Sequence, residues 1–526
     1  MAKTVQKEIY YVYVDAEHGT YECRNNNKVT RYNNIHFLRE IIHSGKKSIV
    51  FINHMSSIIR LISGGEESGV KTSAKTGVSE SLVYTVCSAE FRNFSALYNN
   101  VHTADLCKTY KTACVTWGME RFIREWGKPE RVRWSLAHVA QERFYEDIAQ
   151  FLIDDRRERK RYFNSLYEYN LAYAGCKAGF LMGERCFRED VDGYDISSAY
   201  SSVFVNDSKF PIGRLHYTKS AKVFAEEYKK GHWVKVIFFC RIDGIDHLFY
   251  DDRLEWTALE YYDIELLKEL GYSLKALLSE YDHIFLYSDE TGMLHGTFRG
   301  KIMSLYNEKQ RLEKGTIERD IVKVQLEMLY GKGLQWHEDW TTDQDVIDYY
   351  RPKGRKYYTH YMLPQFSNHA VACIRYRLVS AFIHFGEDTA YADTDGIKVK
   401  HSEYAEQYFR DLNAEIRAKN AESGYISDIG TWTYEGTFDE FVCIGRKVYA
   451  YRVGDEVTLT AAGMDREGKK LVLDTLLKTC GTKERLMKYF YNTGTPFVVR
   501  SVFIDGESIR YRSDIYKCKE MLEYGT

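Results

Sequence analysis

Three groups of residues in this chain carry the types and spacings that chemistry would need. Asp195, in Tyr194-Asp-Ile-Ser-Ser-Ala-Tyr200, follows a short β-like segment and turns into a run of small residues, so its carboxylate is expected at a strand end. Asp393 and Asp395, in Thr389-Ala-Tyr-Ala-Asp-Thr-Asp-Gly396-Ile-Lys-Val399, stand one residue apart at the tip of an expected hairpin whose turn is read as Asp395-Gly396. Acids gathered this closely repel one another unless a cation neutralises them, and carboxylate oxygens suit the hard ion Mg²⁺. Taken singly, each acid also has a plainer reading, because aspartate at a strand end and Asp-Gly in a tight turn are ordinary turn chemistry.

The third group lies between them. The pattern predicts a helix from about Lys301 to Leu329, with Val322, Leu326 and Leu329 packing inward. Lys323, Glu327 and Tyr330 follow at i, i+4 and i+7, so an ammonium, a carboxylate and a phenol share one face. Lys309, Arg311, Arg319 and Lys323 supply cations for a polyphosphate wall, although a solvated amphipathic helix would carry the same residues.

The elements that must position these groups belong to a large mixed α/β protein. At 526 residues the chain is too long for a single core, so several subdomains are expected. Ile9-Tyr-Tyr-Val-Tyr-Val14 and Ser48-Ile-Val-Phe-Ile52 read as strands, residues 144–169 as a helix bearing the charged run 154–161, and 63–81 as a long polar loop. Eleven scattered cysteines without a C-x-x-C pair argue against a zinc ribbon or a disulfide framework, and point to a reducing, cytoplasmic setting. No apolar run approaches a membrane span, and no signal pattern opens the chain. A net charge of −2 means that any nucleic acid must be held by local basic stripes. The 43 tyrosines suit half-wet surfaces that stack on sugars and bases, as well as ordinary packing.

Together, and in this order, the segments resemble the D-x-x-S-L-Y-P, K-x-x-x-N-S-x-Y-G and Y-x-D-T-D-S motifs of family B DNA polymerases. Arg446-Lys-Val-Tyr449 is similar to that family's K-x-Y motif, and Ala462-Gly-Met464 to a short stretch that follows it in protein-primed phage enzymes. There are 127 residues between Asp195 and Lys323 and 61 between Gly331 and Asp393, room for the two insertions of the protein-primed type. Within the second gap, 351–358 mixes cations with aromatics, as single-stranded nucleic acid would require.

The resemblance implies a right-hand polymerase of palm, fingers and thumb behind an N-terminal RNase H-like 3′–5′ exonuclease-type domain. The domains would run 1–172 for the exonuclease-like part and 173–526 for the polymerase: palm about 173–215 and 366–470, a terminal-protein-region-like insertion about 216–298, fingers about 299–335, a second insertion about 336–365, and thumb about 471–526. Asp195, Asp393 and Asp395 would hold two Mg²⁺ ions, replaceable by Mn²⁺. Lys323, with Lys309 and Arg311, would meet the triphosphate beside Ser198. Tyr200 would lie under the incoming sugar, Tyr330 against the nascent base pair, and Gly331, Lys447 and Tyr449 along the primer and DNA. Expected partners are template and primer DNA, deoxynucleoside triphosphates and a terminal protein primer, with no membrane, for a monomer in the cytoplasm of a phage's bacterial host or in mobile-element replication.

The chain departs from the family pattern at Ala199, Ser201, Glu327, Met328 and Gly396, none of them a metal ligand. Glu327 beside a triphosphate would repel it unless paired with a cation. In the N-terminal third, Asp15-Ala-Glu17 has the D-x-E form of the first exonuclease motif and Asp147 fits the acid of the third. Ser57 replaces the acid of N-x-x-x-D, Arg143 a tyrosine, and Asn93 the acid of F-R-D, while Cys176-Lys-Ala-Gly179 matches the interdomain Y-x-G-G loosely. Proofreading is therefore expected to be impaired or lost. Two rival readings stay open: a non-replicative nucleic-acid-binding or defence protein on a polymerase scaffold, and a polymerase that starts without a primer or copies RNA.

Overall fold

The computed structural model describes residues 7–53, 83–94, 106–126, 166–174, 179–242, 257–333, 364–462, 466–493, 499–504 and 507–513, apart from positions 16, 17, 19, 27, 35, 87 and 88. Its contacts divide the chain into two units, one of residues 1–144 with 500–512 and one of 145–499 with 513–526.

In the first unit, β1 (Glu8–Asp15), β2 (Thr20–Asn25), β3 (Lys28–Tyr32), α1 (Phe37–His43), β4 (Ser48–Ile52), β5 (Val83–Val86), β6 (Ala89–Asn93) and α2 (Val115–Trp126) build one sheet with a helix on each face. The strand order is β3-β2-β1-β4-β6-β5, with β1, β4 and β6 mutually parallel. Ser48-Ile-Val-Phe-Ile52 is buried throughout, as a central parallel strand covered on both faces requires. Phe37, Leu38, Ile41 and Ile42 of α1 cover Val12, Val14, Val50 and Ile52. Met119, Phe122, Ile123 and Trp126 form the buried stripe of α2. Glu22 caps the start of that helix, accepting from the Thr116 amide at 2.9 Å and hydroxyl at 2.7 Å, where the helix dipole favours an anion.

The second unit begins with α3 (Leu166–Tyr173), β7 (Leu181–Met182), β8 (Cys186–Ile196), α4 (Ala199–Asn206) and β9 (Phe210–Pro211). A smaller sheet follows from β10 (Leu215–Thr218), α5 (Ala221–Lys229), β11 (Val234–Phe238), β12 (Thr257–Glu260), α6 (Tyr261–Glu269), α7 (Leu274–Glu280) and β13 (His283–Ser288), in the order β10-β13-β11-β12. Then come β14 (Thr291–Gly292), paired with β9, the helical pair α8 (Gly296–Arg311) and α9 (Ile317–Gly333), and the long helix α10 (Pro364–Phe385), which opens on a proline at its first turn. The chain closes the main sheet with β15 (Thr389–Asp393), β16 (Gly396–Lys400), α11 (Glu403–Glu422), β17 (Trp432–Gly445), β18 (Val448–Val453) and β19 (Glu456–Ala461). It continues through α12 (Arg466–Cys480) and α13 (Lys483–Thr493), whereas the two-stranded β20 (Val499–Ile504) and β21 (Glu507–Ser513) that follow fall almost wholly within the first unit's residues 500–512.

The main sheet has seven antiparallel strands in the order β19-β18-β17-β8-β16-β15-β7, which sets β8 and β16 at its centre. Val472 and Leu476 of α12 and Leu486, Met487 and Phe490 of α13 bury its β17–β19 end against Val442, Ala450 and Leu459. The small sheet is tied to α10 by Arg375, whose guanidinium meets the buried Asp263 carboxylate at 2.9 and 3.2 Å, a desolvated pair that is costly to break singly. Lys235 reaches the Ala172 carbonyl at 2.8 Å from within the same layer.

Two local expectations change. The helix expected from 301 to 329 is two, because Gly315 takes a left-handed φ of +87° and Thr316 begins the second by accepting from the Arg319 amide at 3.4 Å. The hairpin is present, but Gly396 opens β16 opposite Asp393, so Thr394-Asp395 occupies the turn. A Cβ at 396 would lie 3.1 Å from Asp195 Oδ1, a crowding that favours glycine over the family's serine. Of the helix expected over 144–169, only the part from Leu166 is described. The loop 63–81, the second insertion over 336–365 save its last residues, the mixed stretch 351–358, Ser57, Glu17, Arg143, Asp147 and Gly463-Met464 lie outside the described residues.

Candidate active site

Antiparallel pairing of β8 with β16 brings together acids nearly two hundred positions apart. Asp195 stands directly opposite Gly396, and the Ile196 amide donates to the Asp395 carbonyl at 2.9 Å. Asp395 and Asp195 are both half-buried, and among the described residues neither forms an ion pair. Burial, then the Asp395 charge, then Glu435 push the Asp195 carboxyl up to about 7, against a smaller opposing pull from Lys398 and Lys323. Burial, then Asp393, then Glu327 push Asp395 up to about 6. Two carboxyls titrating near neutrality behave as one coupled pair, and the donor set fits a hard divalent cation that would relieve their repulsion.

Asp393 is placed differently. Its carboxylate receives the Lys447 ammonium at 2.7 and 2.9 Å, the Tyr391 hydroxyl at 3.1 Å and the Thr394 hydroxyl at 2.7 Å. The Lys447 amide also donates to the Tyr391 hydroxyl oxygen, at 3.2 Å. Among the described residues, no three acidic, histidine or cysteine side chains gather into a ready metal-ligand set. The expected trio thus resolves into an open pair, Asp195 with Asp395, and a third acid closed upon Lys447. The Tyr449 ring lies tilted against Tyr391, with centroids 5.0 Å apart.

The backbone at this centre is strained. Ser198, Thr394 and Lys447 all have left-handed φ, at +49°, +59° and +58°. For residues other than glycine such conformations cost on the order of 1–3 kcal/mol each, and they persist where surrounding structure holds them, commonly at functional sites. Ser198 precedes α4, whose Ser201 hydroxyl donates to the Leu326 carbonyl at 3.0 Å and so ties it to α9.

The helical pair divides its cations. Lys309 is half-buried and donates to the Ser198 hydroxyl at 2.5 Å. Burial, reinforced by Arg319 and Lys323, lowers its ammonium to about 8 despite Glu327. Lys323 is exposed and pairs with Glu327 at 3.4 Å. Arg311 is exposed at the end of α8. Arg319 serves the turn instead, donating to the Lys309 and Leu312 carbonyls at 2.6 and 2.7 Å, which removes it from the cationic wall expected of it. Tyr200 of α4 and Tyr330 of α9 stack with ring centroids 3.8 Å apart, and Gly331 lies exposed just beyond on α9. The arrangement offers an acid pair, one sheltered and one exposed ammonium, and an aromatic step between them.

Three participants were missed in the sequence: Lys398, Glu435 and Gly193, which meet beside Asp195. A detectable signal was Lys398 within Gly396-Ile-Lys-Val-Lys400, a lysine inside a strand flanked on both sides by the core residues Ile397 and Val399.

The first unit has the other acid. Asp15 ends β1, and its two oxygens meet the His18 amide at 3.1 Å and the His18 imidazole at 2.9 Å. Asn53, at the end of β4, closes on the Val14 backbone, accepting from its amide at 2.7 Å and donating to its carbonyl at 3.0 Å.

Comparison with solved structures gives the fold: the chain is built like a Phi29-type DNA polymerase. The likeness is to Phi29 DNA polymerase complexed with primer-template DNA, with a TM-score of 0.63 and 14% identity over 97% of this chain and 99% of that one. The same polymerase complexed with primer-template DNA and incoming nucleotides matches with a TM-score of 0.62 at the same identity. No family model and no curated protein matches the sequence. Among the described residues, no helix is long and apolar enough to cross a membrane.

Proposed function

We propose that this protein is a DNA-directed DNA polymerase that adds deoxynucleotides to a 3′-hydroxyl, in phage or mobile-element replication primed by a protein hydroxyl, with weak or absent proofreading. The observation that carries the reading is the Asp195–Asp395 pair: two half-buried carboxyls held raised in pKa, one near the end of β8 and the other in the β15–β16 turn beside it, with no ion-pair partner among the described residues. Bound Mg²⁺ at two positions would activate the attacking hydroxyl and carry the triphosphate. Asp195 and Asp395 would hold the ions, and Asp393 would join them once Lys447 moves from it onto the primer strand. Lys309 and Lys323 would neutralise the triphosphate, Lys323 after leaving Glu327, aided by Arg311 at the end of α8. Tyr200 would lie under the sugar, where a 2′-hydroxyl would collide with it, and Tyr330 against the new base pair. Gly331 and Tyr449 would border the DNA.

The test is Mg²⁺-dependent extension of a primed template. Asp395→Asn is expected to lower the rate roughly a thousandfold or more while DNA binding by gel shift persists. Undiminished extension by that variant would remove the assignment.

A further inference from the structure

Sequence and register place an unexpected cation beside the acid pair. β16 pairs with β8 so that Gly396 faces Asp195 and Lys398 faces Gly193, and alternation along each strand puts all four on one face of the sheet. On the far side of β8, Thr433 of β17 also faces Asp195, and the register slips between Tyr434 and Gly436, which leaves Glu435 in a bulge. Lys398, buried, and Glu435, partly exposed, reach toward each other across β8 and form an ion pair. The crossing is possible because residue 193 has no side chain. A Cβ there would lie 3.1 Å from Lys398 Nζ and 3.2 Å from Glu435 Oε2. Phe438 floors the pair, its ring centroid 5.7 Å from the ammonium, where a cation–π attraction adds to the hold.

Glu435 is close enough to Asp195 to push its carboxyl upward, and Lys398 pulls it downward. Were Lys398 absent, the centre would contain a third uncompensated acid on a strand bulge, the kind of feature that re-aims a side chain. We propose that the Lys398–Glu435 pair spanning Gly193 withholds Glu435 from the divalent-cation site, making Lys398 the positioning residue that sets how tightly Asp195 and Asp395 hold their cation. The inference rests on the reading that Asp195 and Asp395 bind divalent ions.

The experiment is a Mn²⁺ titration of the nucleotide-free full chain, read by electron paramagnetic resonance, with Asp195→Asn as reference. Lys398→Met frees one carboxylate and removes one cation, and should tighten Mn²⁺ binding roughly tenfold, the scale of one unit charge at short range in a half-buried site. Glu435→Gln leaves the Lys398 ammonium uncompensated and should weaken binding, whereas general damage to the sheet would weaken both variants. Gly193→Ala crowds both charged ends of the pair by a few tenths of an ångström without removing either charge, loosening their contact, and should tighten binding about two- to threefold. Equal Mn²⁺ binding by the unaltered chain and Asp195→Asn would overturn the metal reading itself. With that reading intact, unchanged or weaker binding in both Lys398→Met and Gly193→Ala, or tighter binding in Glu435→Gln, would overturn the proposal.

Discussion

Two acids, Asp195 and Asp15, end central strands of two different sheets, and their surroundings are opposite. At Asp195 the strongest neighbouring charge is that of another acid, Asp395, and both carboxyls are pushed toward neutrality with no ion-pair partner among the described residues. At Asp15 the carboxylate is engaged by the His18 ring and amide, while the neighbouring Asn53 spends its amide on the Val14 backbone. The first arrangement is unfavourable until a cation arrives. The second is already satisfied. An acid at a strand end therefore signals a metal site only when the fold withholds the hydrogen bonds and counter-ions that would content it.

The contrast breaks most directly in extension assays. Asp195→Asn should reduce Mg²⁺-dependent primer extension roughly a thousandfold or more, whereas Asp15→Ala should change it by less than about twofold. A 3′-mismatched primer added to the same assay should be elongated or stalled rather than trimmed, and brisk trimming abolished by Asp15→Ala would make the two sites alike after all.

A thermodynamic measurement sharpens the contrast at smaller scale. Asp195 has a folded pKa of about 7 against an ordinary 3.8, so between those values the folded chain holds the extra proton. The associated stability is present at low pH and is lost as pH rises through about 7. In chelator at pH 8, Asp195→Asn should therefore be more stable to denaturant than the unaltered chain by as much as about 4 kcal/mol, with little difference near pH 4. Mg²⁺ should close that gap by stabilising only the unaltered chain. The same substitution showing no pH-dependent gain would mean that the pair is not strained.

The smallest effect concerns Glu327. Its pairing with Lys323 is exposed, and such pairs are worth about 0–1 kcal/mol. Glu327→Gln should lower the nucleotide KM about two- to threefold with kcat unchanged, as expected when a competing partner for Lys323 is removed. An increase in KM would mean that Glu327 orients the lysine rather than competing for it.

Much of the site's framework was legible because it is local. β-rich Glu8–Asp15, the buried run Ser48–Ile52, the strand ending near Asp195 and the Asp393–Gly396 hairpin all follow from short-range propensity and alternation. The break at Gly315-Thr316 was equally local, carried by a glycine and a capping threonine, and the apolar periodicity running past it obscured it. By contrast, nothing in the spacing of Arg446-Lys-Val-Tyr449 indicates that Lys447 turns onto Asp393 or that Arg319 caps the preceding helix. Those partners depend on which strand lies beside which.

The order and types of the reactive residues were determined by the sequence alone: which acids, which lysines and which tyrosines are present, and on what kind of element each stands. Only the tertiary structure decided their partners. Register across β15, β16, β8 and β17 makes Asp195 and Asp395 an open pair, closes Asp393 on Lys447, and lays Lys398 and Glu435 over Gly193. The physical reason is the two-residue period of a strand combined with the bulge at Glu435. A slip of one position would turn each of these side chains to the opposite face, so their meeting depends on long-range pairing that no local segment encodes.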